Sequence, residues 1–127
     1  MTRAQRIAVA DDELDMRDYF QRMLPRLGYE VVAAAATGRE LVELCREKKP
    51  DLIIADVRMP DMDGDVAIQQ IFRDVPIPFI LISAFSKPAR IPDWIGSIGW
   101  LYLTKPVSRE VLAEAIQQVF SANANQV

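Results

Sequence analysis

Residues able to do chemistry follow four separate apolar runs of the sequence. Asp11 and Asp12 follow the first of these runs, and Asp56 follows an entirely apolar run near the middle of the chain. Ser83 ends a later run, and Lys105 comes shortly after the last one. Carboxylates that lie close together repel one another unless a cation stands between them, and Mg²⁺ favours oxygen ligands of this kind. The ammonium and hydroxyl groups are donors suited to the oxygens of a phosphoryl group, which an aspartate can accept as a nucleophile.

These residues can act together only if the fold brings the ends of the runs to one place. Apolar runs and helical periodicity alternate along the chain. The pattern predicts strands over 7–10, 29–34, 52–55, 77–82 and 100–103, and helices over 14–27, 38–47, 66–72, a short stretch around 91–98, and 109–120. Five strand–helix units in this order favour an α/β fold, an open, doubly wound parallel sheet with helices on both faces. Functional groups of such a sheet collect at the carboxyl ends of its strands, so the residues above are expected at one edge.

Glycine and proline mark where several of these elements end. Gly28 stands where a left-handed cap would end the first helix. Pro88 and Pro92 interrupt the segment before the last strand, so the fourth helix is expected to be short, late or displaced. Trp94 and Trp100 lie in or beside this segment, and either of them is compatible with a place in the core or at a partner surface.

Length and charge limit the classes of protein to which this chain can belong. The chain has 127 residues, of which 50% are hydrophobic, enough for one packed domain with a core over about 5–121 and a polar tail over 122–127. The net charge of −3 gives no general attraction to nucleic acid or to anionic membranes. No apolar run approaches the ~20 residues that span a bilayer, and no secretory signal pattern precedes the first strand. A cytoplasmic location is therefore expected, with neither direct nucleic-acid binding nor membrane insertion.

Cysteine and histidine counts exclude several kinds of site. Cys45 is the only cysteine, cannot form an internal disulfide, and lies on the apolar side of a predicted helix, so a buried, unreactive thiol is expected. The sequence contains no histidine. A histidine-based catalytic triad, a histidine-ligated zinc or haem, and a histidine phosphocarrier are all excluded.

Alternate acids over 61–65 invite comparison with a calcium-binding loop. The glutamate that should close such a loop is missing, because position twelve is Phe72, and no helix is predicted to precede the loop. Gly64 is better explained as a turn residue, with Asp63 or Asp65 capping the next helix.

Four segments, in order, resemble the response-regulator receiver family, as found in the chemotaxis receiver. They are Asp11-Asp12, the run LIIADVRMPDMDG over 52–64, Ser83-Ala84, and YLTKP over 102–106. The resemblance covers essentially the whole chain and implies a flavodoxin-like strand order 2-1-3-4-5. It also implies a function, that of a two-component phosphoacceptor. Such a domain takes a phosphoryl group from a sensor histidine kinase or phosphotransfer protein and switches conformation to control an output domain or partner.

The resemblance assigns a role to each matching position of the metal site. Asp56 is implied as the phosphoacceptor, and Asp12 with Asp56 as direct ligands of Mg²⁺, for which Mn²⁺ can substitute. Asp11 is implied to act through metal-bound water. The backbone carbonyl of Arg58 is implied to complete the protein ligands.

The resemblance also implies how the phosphoryl group is held and sensed. Lys105 would pair with its oxygens, aimed by a cis peptide bond to Pro106. Ser83 would hydrogen-bond the phosphoryl group and move toward it, and Tyr102 would then swing inward. The surface formed by the fourth helix, the fifth strand and the fifth helix would carry the output or a partner, and a homodimer is compatible with it.

Some positions depart from the family pattern or have a second interpretation. Gly99 comes one place later than the family pattern has it, so the shape of that loop is an open question. The Arg58 side chain either overhangs the site and affects hydrolysis or is an ordinary surface arginine. Tyr102 is either a moving switch residue or a static aromatic at the edge of the core.

Two other functions compete with the phosphoacceptor. A phosphatase of the haloacid-dehalogenase type would use Asp56 as nucleophile, but it needs a second aspartate two places later, where this chain has Arg58. The other is an interaction module that is not phosphorylated, although all five site residues are present. The sequence therefore favours a domain that catalyses its own phosphorylation and dephosphorylation rather than an enzyme acting on a separate substrate.

Overall fold

The computed structural model of the chain describes residues 3–84 and 99–124. Within them the structure has five strands and four helices in alternating order. The strands are β1 (Arg6–Ala10), β2 (Glu30–Ala35), β3 (Leu52–Asp56), β4 (Phe79–Ser83) and β5 (Trp100–Thr104), and the helices are α1 (Leu14–Arg26), α2 (Gly38–Lys48), α3 (Gly64–Asp74) and α4 (Arg109–Ala124). The segment over 85–98, which holds Pro88, Pro92, Trp94 and the expected short helix, lies outside the described residues.

All five strands are parallel and follow the order β2-β1-β3-β4-β5. The predicted sheet and the strand order implied by the resemblance are therefore confirmed. Strand β3 lies at the centre and is buried at every position, because its apolar side chains face helices on both sides of the sheet. The pairs Ala10–Ala55, Asp56–Ile82 and Ser83–Thr104 place the carboxyl ends of β1, β3, β4 and β5 along one edge.

The core divides into two apolar clusters, one on each face of the sheet. One cluster packs side chains of α2 and α3, such as Leu41 and Ile68, against the sheet. The other packs side chains of α1 and α4, such as Phe20 and Ile116. Alternate residues of each strand point into opposite clusters, so both faces are covered and the edge with the polar residues is left for solvent and ligands.

Helix ends follow local chemistry that the sequence partly revealed. Gly28 has a φ of 95° and ends α1 as predicted, since its N–H donates to Pro25 O and that of Tyr29 donates to Leu24 O. Helix α2 begins with a side-chain N-cap, because Thr37 Oγ1 accepts from the Glu40 N–H at 3.1 Å, and Glu40 Oε1 accepts in return from the Ala36 N–H at 2.9 Å. Helix α3 begins at Gly64, two residues earlier than predicted, and Asp63 takes its N-cap position without a side-chain capping hydrogen bond.

The last helix is longer than its apolar periodicity indicated. It was expected to end at 120 and be followed by a polar tail, but α4 continues to Ala124. The Asn123 amide donates to Val119 O one turn earlier at 2.8 Å, and its oxygen accepts from the Gly99 N–H at 3.4 Å. These bonds tie the last turn to the loop before β5, so polar residues extend a helix that an apolar pattern would have ended.

Candidate functional site

Three carboxylates meet at the carboxyl edge of the sheet. Asp11 and Asp12 follow β1, Asp56 ends β3, and one carboxylate oxygen from each lies within 4.8 Å of the other two. Asp11 and Asp56 are buried at 1% and 8% exposure, whereas Asp12 is exposed. The structure therefore brings together the three acids that the sequence selected, with one of them facing solvent.

Lys105 neutralises part of this negative charge. Its Nζ lies 3.1 Å from Asp11 Oδ2 and 3.0 Å from Asp56 Oδ2, so one ammonium bridges the two buried carboxylates. The Glu13 Oε1 atom lies 3.6 Å from the same nitrogen, on the solvent side. The lysine backbone is also fixed, because its N–H donates to Ser83 O at 2.7 Å and its bond to Pro106 is cis.

The loop after β3 is folded tightly around the Asp56 backbone. The Arg58 N–H donates to Asp56 Oδ1 at 3.2 Å, and the Gly64 N–H donates to Val57 O at 2.7 Å. A Cβ atom on Gly64 would lie 2.0 Å from Asp56 O, so only glycine allows this approach. The turn thus holds the backbone of Arg58 beside the Asp56 carboxylate, while the Arg58 side chain is exposed.

Burial and hydrogen bonding act in opposite directions on the pKa values of Asp56 and Lys105. Burial raises the pKa of Asp56 above its ordinary value, although the hydrogen bond from Lys105 opposes this. Burial alone would lower the pKa of Lys105, but its hydrogen bonds to Asp56 and Asp11 outweigh that effect and raise the pKa. The raised pKa keeps the Lys105 ammonium charged at neutral pH.

Ser83 and Tyr102 lie on the neighbouring strands. Ser83 is buried at the end of β4, next to the point where Lys105 is anchored. Tyr102 pairs with Leu81 across β4 and β5, is half-buried, and packs against the cluster on the α2/α3 face. Both residues therefore lie on the strands that adjoin the site, in the order that the resemblance implied.

Two residues of the site were not selected from the sequence. Glu13 directly follows Asp11 and Asp12 in the sequence but was given no role, although its carboxylate faces Lys105. Arg17 was not noted at all, yet its Nη1 donates to the backbone carbonyl of Asp11 at 2.8 Å. The spacing of Arg17, one helical turn after Glu13, is the only signal in the sequence that could have pointed to it.

The donor set fits a hard divalent cation. Carboxylate oxygens within 4.8 Å of one another match the ligands that Mg²⁺ and Ca²⁺ prefer. The described residues offer no cysteine or histidine at this edge, so softer metals have no ligand of their preferred type there. Asp11, Asp12 and Asp56 are the residues that could hold such an ion.

Comparisons with known proteins agree with this geometry. Residues 7–117 match the family model of the response regulator receiver domain. The transcriptional regulatory protein PdtaR of Mycobacterium tuberculosis is 37% identical over 117 residues, which are 92% of this chain but only 57% of PdtaR. The chemotaxis protein CheY of Bacillus subtilis is 34% identical over 119 residues, covering 93% of this chain and 99% of CheY.

Solved structures give the same result for the fold. The response regulator domain of Thermotoga maritima CheB superposes with a TM-score of 0.79 at 30% identity, covering 96% of this chain and 98% of that one. The match to the family model extends from β1 into α4 and includes every strand of the sheet and every residue of the acidic site. The chain belongs to the response regulator receiver domain family.

Proposed function

We propose that this chain is a phosphoacceptor receiver domain that takes a phosphoryl group onto Asp56 in the presence of Mg²⁺. One observation carries the proposal, the single Lys105 ammonium that bridges Asp56 and Asp11 at 3.0 and 3.1 Å beside the exposed Asp12 carboxylate. This arrangement provides a nucleophile, a cation ready to pair with new anionic oxygens, and carboxylates for a metal.

The chemical step needs little from the protein beyond positioning. A carboxylate oxygen of Asp56 forms a P–O bond as the P–N bond of a donor phosphohistidine breaks, and the electron pair remains on the imidazole nitrogen. Lys105 already contacts the Asp56 carboxylate, so its ammonium can pair with the oxygens of the transferred phosphoryl group after only a small movement. Asp12, Asp56 and the Arg58 carbonyl would hold Mg²⁺, with Asp11 acting through water. The metal ion would offset the negative charge of the transferred phosphoryl group.

The site lacks the group that a hydrolase of separate substrates would need. Arg58 stands two places after the nucleophile, where a phosphatase of that chemistry would carry a general acid, and its side chain is exposed. We therefore assign the chain a signalling role, in which the product is a changed conformation and hydrolysis of the aspartyl phosphate resets it.

The proposal extends to partners and place. A sensor histidine kinase or phosphotransfer protein would supply the phosphoryl group, and an output domain or partner would read the surface near β5 and α4. Within the described residues, no helix is both long and apolar enough to cross a membrane. We place the chain in the cytoplasm as a single receiver domain, with the output left to a partner or to another part of a longer protein.

Intact-mass measurement after incubation with acetyl phosphate and Mg²⁺ tests the proposal. The wild type should gain one phosphoryl group, which EDTA added beforehand should prevent. The Asp56→Ala variant should gain none. An Asp74→Ala variant, which removes only an exposed partner of Arg46, is the matched control and should label like the wild type. Stoichiometric labelling of Asp56→Ala would move the acceptor elsewhere.

A further inference from the structure

The acidic run Asp11-Asp12-Glu13 follows β1, and a side chain from α1 holds its backbone. Arg17 Nη1 donates to the carbonyl of Asp11 at 2.8 Å, and the Arg17 N–H donates to Glu13 O at 3.1 Å. The arginine therefore spans the acidic run, with its backbone bonded to one end and its guanidinium to the other. Arg17 is half-buried, so this bond is partly protected from water.

Asp11 is fixed at every other polar atom as well. Its N–H donates to Ala35 O at 3.0 Å, Oδ1 accepts from the Glu13 N–H at 2.9 Å, and Oδ2 accepts from Lys105. The bond from Arg17 completes this set at the carbonyl oxygen. That oxygen belongs to the peptide unit joining Asp11 to Asp12, so the guanidinium fixes the plane from which Asp12 begins.

Asp12 has no comparable support of its own. Its side chain is exposed, and the carboxylate makes no hydrogen bond or ion pair with the rest of the described chain. The direction of this carboxylate therefore depends on its backbone and on its own rotamer. Side chains hold both peptide units that flank Asp12: Arg17 donates to the Asp11 carbonyl of the preceding unit, and Asp11 Oδ1 accepts from the Glu13 N–H of the following one.

We propose that Arg17 is a positioning residue for the metal site, acting on Asp12 through the Asp11–Asp12 peptide unit. The inference rests on the proposed function, because it assigns to Asp12 the role of metal ligand. Arg17 need not touch the metal or the phosphoryl group. Its contribution is to keep a solvent-exposed carboxylate aimed at the two buried ones before an ion binds.

Charge and positioning have opposite consequences at this residue, which makes the proposal testable. Arg17 is cationic, so removing its charge would by Coulomb's law alone strengthen the binding of a dication nearby. Loss of positioning weakens it instead. Residues that orient metal ligands typically change affinity by about 10- to 100-fold when replaced.

Calorimetric titration of the folded chain with Mg²⁺ alone distinguishes these effects in three variants. Arg17→Met, which keeps an apolar stem but has no donor, should bind Mg²⁺ about tenfold more weakly than the wild type. Arg17→Lys retains the charge and one donor group, and should fall between the two. Arg22→Met makes the same substitution at an exposed position of α1 and should bind as the wild type does.

Labelling by phosphoramidate gives a second readout that a purely structural role would not move. Arg17→Met should need more Mg²⁺ to reach half of its maximal labelling rate, while the rate at saturating Mg²⁺ stays near that of the wild type. The free energy of unfolding of each variant is measured by urea titration. If Arg17→Met does not fold, the comparison of Arg17→Lys with the wild type decides.

The outcomes separate this inference from the function on which it rests. Unchanged or tighter Mg²⁺ binding by Arg17→Met, or by Arg17→Lys where only that variant folds, would overturn the positioning role. Equal weakening in Arg22→Met would do the same, because it would mark a general effect of α1. If Asp12→Ala also binds Mg²⁺ as the wild type does, the failure lies with the metal site itself.

Discussion

Burial separates the three carboxylates of the site into different roles. Asp56 is almost fully buried and has a raised pKa, so its charge is tolerated there because Lys105 lies 3.0 Å away. Asp11 is buried more deeply and bonded on both carboxylate oxygens. Asp12 alone faces solvent, where an incoming hydrated ion arrives first. Under the proposed function, Asp56 would thus be a shielded nucleophile and Asp12 an exposed metal ligand.

Removing the exposed carboxylate should weaken the metal and the labelling together. In Asp12→Ala the site loses one negative charge and one oxygen ligand, so Mg²⁺ should bind about tenfold more weakly or worse. Asp15→Ala, which removes an exposed acid from the first turn of α1, is the control. Calorimetry compares the two variants, and an Mg²⁺ affinity for Asp12→Ala equal to that of the wild type would remove Asp12 from the ligand set.

The buried thiol of Cys45 should be inert in the folded protein. Burial raises its pKa to about 12, so almost no thiolate exists at pH 8, and its side chain is 1% exposed. A chromogenic disulfide reagent should react quickly in urea and very slowly without it. Rapid native labelling at pH 8 would show that the α2/α3 face opens.

The same thiol should make the stability of the protein depend on pH. Because the thiol ionises near pH 9 only after unfolding, raising the pH above that value should lower the free energy of unfolding until about pH 12.

The acids and the lysine could be found from the sequence because each follows an apolar strand. Position at a strand end is a property of the pattern, and the parallel topology then brings such ends together. Arg17 could not be found in this way, because its contact depends on the angle at which α1 leaves the acidic run. Glu13 was visible as an acid, but its approach to Lys105 depends on the rotamers of two long side chains.

At the scale of the elements, the β3–α3 connection is the most constrained part of the site. Helix α3 begins so close to the Asp56 carbonyl that its first residue must be glycine. The sequence predicted a turn at Gly64 but placed the helix two residues later. Apolar periodicity reports which residues face the core, whereas the start of α3 is set by a backbone contact with β3. The predicted strand boundaries differ from the observed ones by at most two residues. These small differences arise because apolar runs mark buried residues, whereas strand ends are set by hydrogen bonding.

Adding a methyl group at this contact should cost stability and function. In Gly64→Ala the new Cβ would lie 2.0 Å from Asp56 O, so the loop must move, at a cost of at least about 1–3 kcal/mol in the free energy of unfolding. The labelling of Asp56 should slow because its backbone moves with the loop. Arg73→Ala is the control, since it places alanine at an exposed position of the same helix. Urea denaturation gives both values, and a Gly64→Ala variant as stable as Arg73→Ala would contradict the contact.

Ser83 and Lys105 join the edge that holds the acids to the β4–β5 region. The Lys105 N–H bonds to Ser83 O, and Ser83 pairs with Thr104 two residues after Tyr102. A phosphoryl group on Asp56 would offer new acceptors to both Lys105 and the Ser83 hydroxyl. It can shift the balance between two conformations only by interacting better with one of them.

Replacing Ser83 should separate phosphoryl binding from the conformational response. Ser83→Ala keeps Asp56 and Lys105, so it should still bind beryllofluoride, a stand-in for the phosphoryl group, with Mg²⁺. Without the hydroxyl, chemical-shift changes around Tyr102 should be much smaller than in the wild type. Ser121→Ala, at an exposed position of α4, is the control. If the Tyr102 side chain keeps one position in the free and beryllofluoride-bound wild type, the aromatic part of the switch is wrong.

The global topology was the most predictable feature, because alternating strands and helices allow few arrangements and the resemblance selected one. The partner could not be predicted, since its identity depends on surface shape that no periodic pattern encodes. The region over 85–98, with its two prolines, was the part of the chain where the sequence agreed least with the family pattern.

Chemical trapping of the acceptor identifies which aspartate carries the phosphoryl group. The wild type is labelled with acetyl phosphate and Mg²⁺, reduced with borohydride, digested and sequenced by mass spectrometry. An aspartyl phosphate is reduced at its acyl carbon, which leaves homoserine in place of the aspartate. Homoserine at position 56, and absence of any such conversion when Mg²⁺ is chelated, is the expected result. Conversion at Asp11 or Asp12 instead, or no conversion at any aspartate of a fully folded sample, would contradict the assignment of Asp56 as the phosphoacceptor.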